Sequence, residues 1–301
     1  MFTLAQLTDV HLAPLPPPRL YQLFSKRAFG YVNWQRRRYQ HQREVLDRLV
    51  ADMLTEGPDH IAVTGDLVNI ALPEEFRQAR IWLDGLDGGP DRITVIPGNH
   101  DAYVPFFRNP GVRHWRPYML PNAGGERFPR GRSGFPFVRQ IDEIALVCLS
   151  SARATIPGLA SGWLGANQIR RLGPILDTLG REGLCRVVLI HHPPLPGMTR
   201  WERALHDAGA MRRVLVDHGA ELVLHGHNHR AMYRVLDAKG GPVPIVGAPS
   251  ASLMSQDPEK QAGYNLFRIG RGGNGNWRIA RQFRIFDGDG RPVDSHQDLL
   301  P

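Results

Sequence analysis

The chain has 301 residues, enough to bury a sizeable core as one large domain or two small ones, and nothing in it demands a disulfide or a metal merely to fold. A formal charge of +8 and a pI near 10.0 favour anionic partners: phosphate esters, nucleotides, nucleic acid or an anionic lipid surface. The two cysteines, Cys148 and Cys185, sit in apolar runs as buried reduced thiols, and the longest apolar runs fall far short of the roughly 18 residues a membrane-spanning helix needs, so disulfide scaffolds and integral membrane proteins are excluded.

The N-terminus, MFTLAQLTDVH, reads as a strand and lacks the basic, apolar and small-residue segments of a secretory signal, so a cytoplasmic protein without a leader is expected. A helix around 39–56, the strand HIAVTG, a helix around 74–86 and the strand RITVIPG follow, an alternation that predicts parallel βαβ units. The rhythm breaks over 103–135, rich in Pro, Gly, Arg and aromatics, which reads as a long surface loop. FPFVRQI and IALVCLS then form a hairpin turning at Asp142 and Glu143. A helix around 165–181, the strand LCRVVLI, a helix around 202–218 and the strand ELVLH resume the alternation. Beyond His229 come four strand-like runs separated by turn signals, and the residues after Phe286 read as a loose polar tail. No repeat and no linker divides the chain, so a single domain over 1–287 with a tail over 288–301 is expected.

Thirteen histidines is a high count, and several are clustered. Five segments end a predicted strand with metal-binding side chains. T-D-V-H places Asp9 and His11 on the same side of the first strand's end. V-T-G-D puts Asp66 behind a turn that Gly65 permits. V-I-P-G-N-H-D offers Asn99 as a neutral oxygen donor, His100 as a proton donor, and Asp101. L-I-H-H-P-P presents His191 and His192, one of which would bind metal, and L-H-G-H-N-H adds His227 and His229. Each has an ordinary explanation when taken singly: a turn-forming Asp, a helix N-cap, an Asn-stabilised turn, an exposed histidine tract. Their coincidence at five strand ends does not, because in open α/β sheets those ends share one edge.

Two carboxylates, one amide oxygen and four imidazoles make about eight ligand contacts if Asp66 bridges, which suits two divalent ions such as Mn, Fe or Zn rather than a thiolate site. Two such ions would clamp a phosphoryl centre and activate a water without a protein nucleophile. No G-x-S-x-G elbow, P-loop or C-x-x-C is present to support a serine hydrolase, a kinase or a zinc ribbon.

In this order, D-x-H, G-D, G-N-H-D, H-H-P-P and G-H-x-H resemble the signature of the calcineurin-like metallophosphoesterases over about residues 3–250, and H-H-P-P is most similar to the cyclic-nucleotide and glycerophosphodiester phosphodiesterase branch. The resemblance implies an α/β fold, a four-layer αββα sandwich of two mixed β-sheets flanked by helices. It implies that Asp9, His11, Asp66 and His229 hold one ion and Asp66, Asn99, His191 and His227 the other. His100 would act on the scissile phosphate or the leaving group, Asp101 would orient it, and His192 would stand behind the ligands. The expected activity is hydrolysis of a phosphodiester by a metal-activated hydroxide, with a lipid-linked nucleotide-sugar pyrophosphate such as UDP-diacylglucosamine as a second substrate class and a non-catalytic scaffold as a third reading.

Residues 19–38 depart from a compact member. Arg19, Lys26, Arg27, Arg36, Arg37 and Arg38 alternate with Tyr21, Phe24, Phe29, Tyr31 and Trp34. That mixture suits a cap that grips anionic substrate, peripheral contact with anionic lipid at the inner face of a membrane, or a solvated basic face packed by its own aromatics. No sequence-specific contact with nucleic acid is expected, and the sequence carries no signal of oligomeric state.

Overall fold

A computed structural model describes residues 1–105, 111–255, 257–273, 275–286 and 292–301. Strand β1 (Phe2–Leu7) is followed by helices α1 (Lys26–Arg37) and α2 (Arg43–Thr55), β2 (His60–Val63), α3 (Pro73–Asp84), the single turn α4 (Gly89–Arg92) and β3 (Ile93–Val95). Then come β4 (Phe137–Ile141), β5 (Ile144–Cys148), α5 (Gly165–Arg181), β6 (Cys185–Leu189), α6 (Ala208–His218) and β7 (Leu222–His225). The chain closes with β8 (Met232–Ala238), β9 (Gly241–Gly247), β10 (Gly263–Arg271), β11 (Trp277–Phe286) and β12 (Pro292–Leu300).

The strands form two mixed six-stranded sheets, ordered β12-β11-β10-β1-β2-β3 and β4-β5-β6-β7-β9-β8. The alternation along β1 explains why there are four layers. Leu4 points into the core between the sheets, whereas Ala5 and Leu7 point out toward α2 and α3, where Leu46, Leu49, Met53, Phe76 and Leu83 meet them. The second sheet does the same with opposite hand: Leu146, Val187 and Leu224 face the first sheet, while Val147, Val188 and Val223 pack on Leu172, Leu176, Met211 and Leu215 of α5 and α6. Helix, sheet, sheet, helix is thus the expected αββα sandwich. Both cysteines are free and buried between the sheets.

Parallel pairing levels the strand ends. Leu7 lies beside Val63 and Val63 beside Val95, while Cys148, Leu189 and Leu224 are aligned in the other sheet. Every parallel strand therefore delivers its following loop to one edge of the sandwich.

Two expectations need correction. The tail after Phe286 is not loose: Pro292–Leu300 pair antiparallel with β11 as an edge strand. Its apolar content is low because polar pairs help hold it, with Asp294 accepting from Gln282 Nε2 at 2.7 Å and from Arg284 at 3.0 Å. Residues 287–291 fall outside the described residues. The 103–135 stretch is irregular as expected, with residues 106–110 outside the description, but it is anchored. Its 3₁₀ segment Gly111–Met119 buries Trp115 and Tyr118 against α3, and the Arg139 guanidinium donates to the carbonyls of Leu120, Ile93, Pro90 and Pro117. The 19–38 segment folds too, as a 3₁₀ turn at Leu20–Leu23 followed by α1.

Candidate metal centre

The loops after β1 and β2 continue side by side past the sheet: Asp9 N donates to Gly65 O at 2.9 Å, His11 N to Asp66 O at 3.0 Å and Leu12 N to Leu67 O at 2.9 Å. His227 N reaches across from the second sheet to Asp9 Oδ2 at 2.9 Å, and His100 N donates to Asp66 Oδ1 at 2.7 Å. Positive φ is uncommon for a residue with a side chain, yet among the described residues five of the seven such positions are Asp9, His11, Asp66, His227 and His229. Strain on the backbone is concentrated where donor atoms must turn inward. The crowding leaves no space for a Cβ at Gly65, Gly98 or Gly226. One at Gly98 would strike the Asp66 carboxylate, and one at Gly226 would strike Thr8 Oγ1 and the Asp9 carboxylate.

Side-chain donors converge in two groups joined at Asp66. On one side His229 Nε2 lies 3.2 Å from Asp9 Oδ1 and 3.2 Å from His11 Nε2, and His11 Nε2 is 4.0 Å from Asp66 Oδ2. On the other, His191 Nε2 is 3.3 Å from Asp66 Oδ2 and 3.2 Å from Asn99 Oδ1, and Asp66, His191 and His227 place one ligand atom each within 4.8 Å of one another. Backbone carbonyls take the opposite ring nitrogens: Val68 O faces His11 Nδ1, Thr64 O faces His191 Nδ1, and Arg203 O faces His227 Nε2. An N–H given to each carbonyl fixes the tautomer and leaves a lone pair directed inward.

The electrostatics call for cations. Burial would push Asp66 up, but His191, His100 and His11 together hold it well below the usual carboxylate range. Burial would likewise strip the charge from His191, yet Asp66 overrides it and raises that ring to about 9, so an ion at Asp66 would have to displace a proton from its Nε2. Burial and the neighbouring histidines lower His11 to about 3 and push His227 well down, so both stay neutral and able to ligate.

His100 and Asp101 follow β3. Asn69 O takes His100 Nδ1, and Tyr103 stacks on the ring at 5.5 Å and 23°. Asp101, expected to orient His100, accepts four backbone N–H groups instead, from Asp66, Leu67, Val68 and Gly98 at 2.8 to 3.2 Å. Its carboxylate clamps together the two turns that carry Asp66 and Asn99, and the orienting bond to His100 comes from Asn69. Both nitrogens of His192 are engaged, by Ser151 Oγ at 2.7 Å and Ala160 O at 3.0 Å, which places it behind the ligands and under the 150–160 loop.

Over the donors opens a cleft of about 190 Å³ whose floor is His11, Asn99, His100 and His229 and whose wall is α1, through Lys26, Asn33, Trp34 and Arg37. Arg27 pins that helix to the loop after Asp66 by donating to Ile70 O and Ala71 O, so this one of the six cations in 19–38 is structural. Lys26 lies over the Tyr103 ring and donates to Thr155 Oγ1 at 2.6 Å and Leu159 O at 2.9 Å.

A family model described as calcineurin-like phosphoesterase matches residues 2–231. The chain belongs to that family. A glycerophosphodiester phosphodiesterase of Enterobacter lignolyticus is 33% identical over 181 residues, which is 58% of this chain and 58% of that protein. A probable cyclic nucleotide phosphodiesterase of Synechococcus sp. is 25% identical over 279 residues, 92% of this chain and 90% of that one. The chain thus aligns with little more than half the length of the first relative and nearly all of the second. Among solved structures, a dimetal phosphatase from Danio rerio shares the fold with a TM-score of 0.61 at 14% identity, covering 97% of this chain and 98% of that one.

The residues fit the two divalent ions that the family implies. Donor pairs 3.2 to 3.3 Å apart match the roughly 3.0 Å that separates two ligands at right angles around one ion with bonds of about 2.1 Å. Asp9 Oδ1 is fully buried and has only the Nε2 of His229 beside it, at 3.2 Å and without hydrogen-bond geometry, which leaves it free to meet a cation.

Sequence reasoning missed three contributors. His41 enters the first donor group, one nitrogen each of His11, His41 and His229 lying within 4.8 Å of the others. It follows no strand, so the strand-end pattern could not find it. Ser250 and Ser252 lie behind the site, Ser250 Oγ donating to Asp9 O at 2.6 Å. Their signal was available, since A-P-S-A-S after PVPIVG is a sixth strand end bearing polar side chains.

Proposed function

We propose that this chain is a metal-dependent phosphoric ester hydrolase that cleaves a phosphodiester of the cyclic-nucleotide or glycerophosphodiester type, the substrate classes named for its two relatives. The observation that carries the reading is that Asp66 enters two donor groups, one with His11 and His100 and one with His191 and His227, at the floor of the cleft. Asp9, His11, Asp66 and His229 would hold one ion and Asp66, Asn99, His191 and His227 the other. The imidazole, amide and carboxylate set suits Mn, Fe or Zn. When bound, two such ions supply an activated water and neutralise charge building up at phosphorus.

The chain's own residues do the rest. His100 gives Nδ1–H to Asn69 O, which aims Nε2 into the cleft; burial lowers its pKa, and Asp66 and Asn69 O oppose that shift without reversing it. Nε2 would face the scissile phosphate and its leaving oxygen, and would pass a proton there as the P–O bond breaks whenever the ring has taken up a second proton. Asp101 keeps Asp66 and Asn99 in register. A cleft of about 190 Å³ takes the phosphate and one small substituent, which leaves the other substituent against Lys26, Asn33, Trp34 and Arg37 of α1. Asp66→Ala should abolish hydrolysis of a bis-aryl phosphodiester in Mn²⁺; undiminished turnover would remove the mechanism.

One observation supports a second substrate class, a lipid-linked nucleotide-sugar pyrophosphate presented at an anionic surface. Leu20, Tyr21, Phe24, Tyr39, Ile156 and Trp201 are all exposed. They lie on the two flanks of α1, on the 150–160 loop that Lys26 ties to α1, and on the 3₁₀ turn Trp201–Arg203, whose Glu202 O bonds Ala160 N. No acidic residue occurs between Asp9 and Glu44 while Arg19, Lys26, Arg27, Arg36, Arg37, Arg38 and Arg43 do, a combination that favours anionic lipid. No helix among the described residues is long and apolar enough to cross a membrane, so such contact would be peripheral. Co-sedimentation with vesicles containing phosphatidylserine tests it: binding that persists after deletion of 19–38 would sink this role for the segment.

A further inference from the structure

We propose that His41 is an additional protein ligand of the first ion, supplied by the connection between α1 and α2, so that Asp9, His11, Asp66 and His229 do not hold that ion alone. The inference rests on the dinuclear reading above and adds to it a residue outside the strand-end pattern.

Three observations carry it. The first is position. One nitrogen of His41 lies within 4.8 Å of nitrogens of both His11 and His229, within about half an ångström of the span of two ligands across one ion. Its ring centroid is 4.6 Å from that of His11 and 5.6 Å from that of His229, and it lines the cleft beside them.

The second is orientation. His41 Nδ1 is 2.9 Å from Ser252 Oγ, so an N–H given to that hydroxyl leaves the Nε2 lone pair for the cleft. This repeats what Val68 O does for His11 and Thr64 O for His191: an oxygen behind the ring fixes the tautomer that a metal requires.

The third is support. A histidine that merely lined the cleft would need no rigid mounting, yet the short link carrying His41 is stitched to the segment after β9. Gln42 N donates to Ser252 O at 2.9 Å, Met254 N donates to Gln40 O at 2.7 Å, and His41 pairs with Leu253 as an isolated β-bridge. Ser250 Oγ sits 3.4 Å from Ser252 Oγ and donates to the carbonyl of Asp9 itself. The mount of His41 and the backbone of a first-ion ligand are therefore one hydrogen-bonded unit.

The consequence is an asymmetric centre. The first ion would have three imidazoles, Asp9 and the shared Asp66, whereas the second would have two imidazoles, an amide and the shared Asp66. Fewer protein ligands would then hold the second ion, on the side of Asn99 and His100. The 19–42 segment also acquires a second duty: the helix that walls the cleft is continuous with a residue that fastens an ion.

The experiment is a Co²⁺ titration of the chelator-treated full chain by calorimetry and visible absorption, without substrate, on wild type, His41→Ala, His41→Gln and Ser252→Ala, with circular dichroism and thermal unfolding as controls for fold. Wild type should bind two ions. Ser252→Ala should weaken one of them about tenfold. His41→Ala and His41→Gln should weaken the same ion by more and alter its absorption band, with the other ion unchanged. Two ions bound by both His41 variants with wild-type affinity and wild-type spectra would overturn the proposal, including the case in which only the KM for a phosphodiester rises, since His41 would then be a substrate contact. Because the readout needs no turnover, a wild type that binds two ions but hydrolyses no phosphodiester would contradict the proposed function and leave the role of His41 intact.

Discussion

The strand-end loops and the 19–42 segment meet at the same cleft but are built by opposite means. The loops are buried, turn through positive φ at five donor residues, and leave no room for a Cβ at Gly98 or Gly226. The segment is a helix with Phe29 and Val32 exposed and Phe24 exposed just before it, fixed below by Arg27 and at its end by the His41 strap. The strand-end donors sit on backbone that cannot move without breaking sheet pairing, whereas the cleft wall sits on an appended helix, where the proposed substrate choice would lie.

Mutations should separate the two regions by size of effect. Asp66→Ala, at the junction of both donor groups, should lower phosphodiester hydrolysis by more than about 10³-fold and reduce metal content, read by turnover and elemental analysis. His100→Ala should cost about 10²–10⁴-fold in kcat with both ions retained, because a general acid touches the leaving group and not the ions. Gly98→Ala should destabilise the fold by about 1–3 kcal/mol through the clash with Asp66, visible in thermal unfolding and in weaker metal binding.

Effects on the helix should be milder and appear in KM. Burial lowers Lys26 to about 8, so its charge is present below that pH and lost above it. KM for an anionic diester should therefore rise several-fold as the pH passes 8, and the rise should disappear in Lys26→Arg, whose charge persists. Phe24→Ser should change hydrolysis of a small soluble diester less than twofold. A large loss there would break the division between a rigid chemical edge and an appended specificity element.

That division also explains what the sequence disclosed. Asp9, His11, Asp66, Asn99, His191, His227 and His229 were legible because parallel strands in register force whatever follows them to one edge, and apolar runs mark where strands end. The αββα layering came from the family resemblance, while the alternation itself predicted only parallel βαβ units. His41 was illegible because it depends on a pairing between residues some 210 positions apart, which leaves no local pattern. The role of Asp101 was misread because G-N-H-D places it next to His100 in sequence, while the turn directs its carboxylate back to the amides of 66–68. β12 escaped notice because an edge strand held by polar pairs resembles a solvated tail.

The most direct measurement is the number of divalent ions per chain set against activity. The full chain, purified in metal-replete buffer, should hold two ions, lose bis-aryl phosphodiester hydrolysis when chelated, and regain it on addition of Mn²⁺ only as occupancy passes from one ion to two. A chain holding substantially fewer than two ions, or one that hydrolyses the diester equally well after complete chelation, would contradict the account.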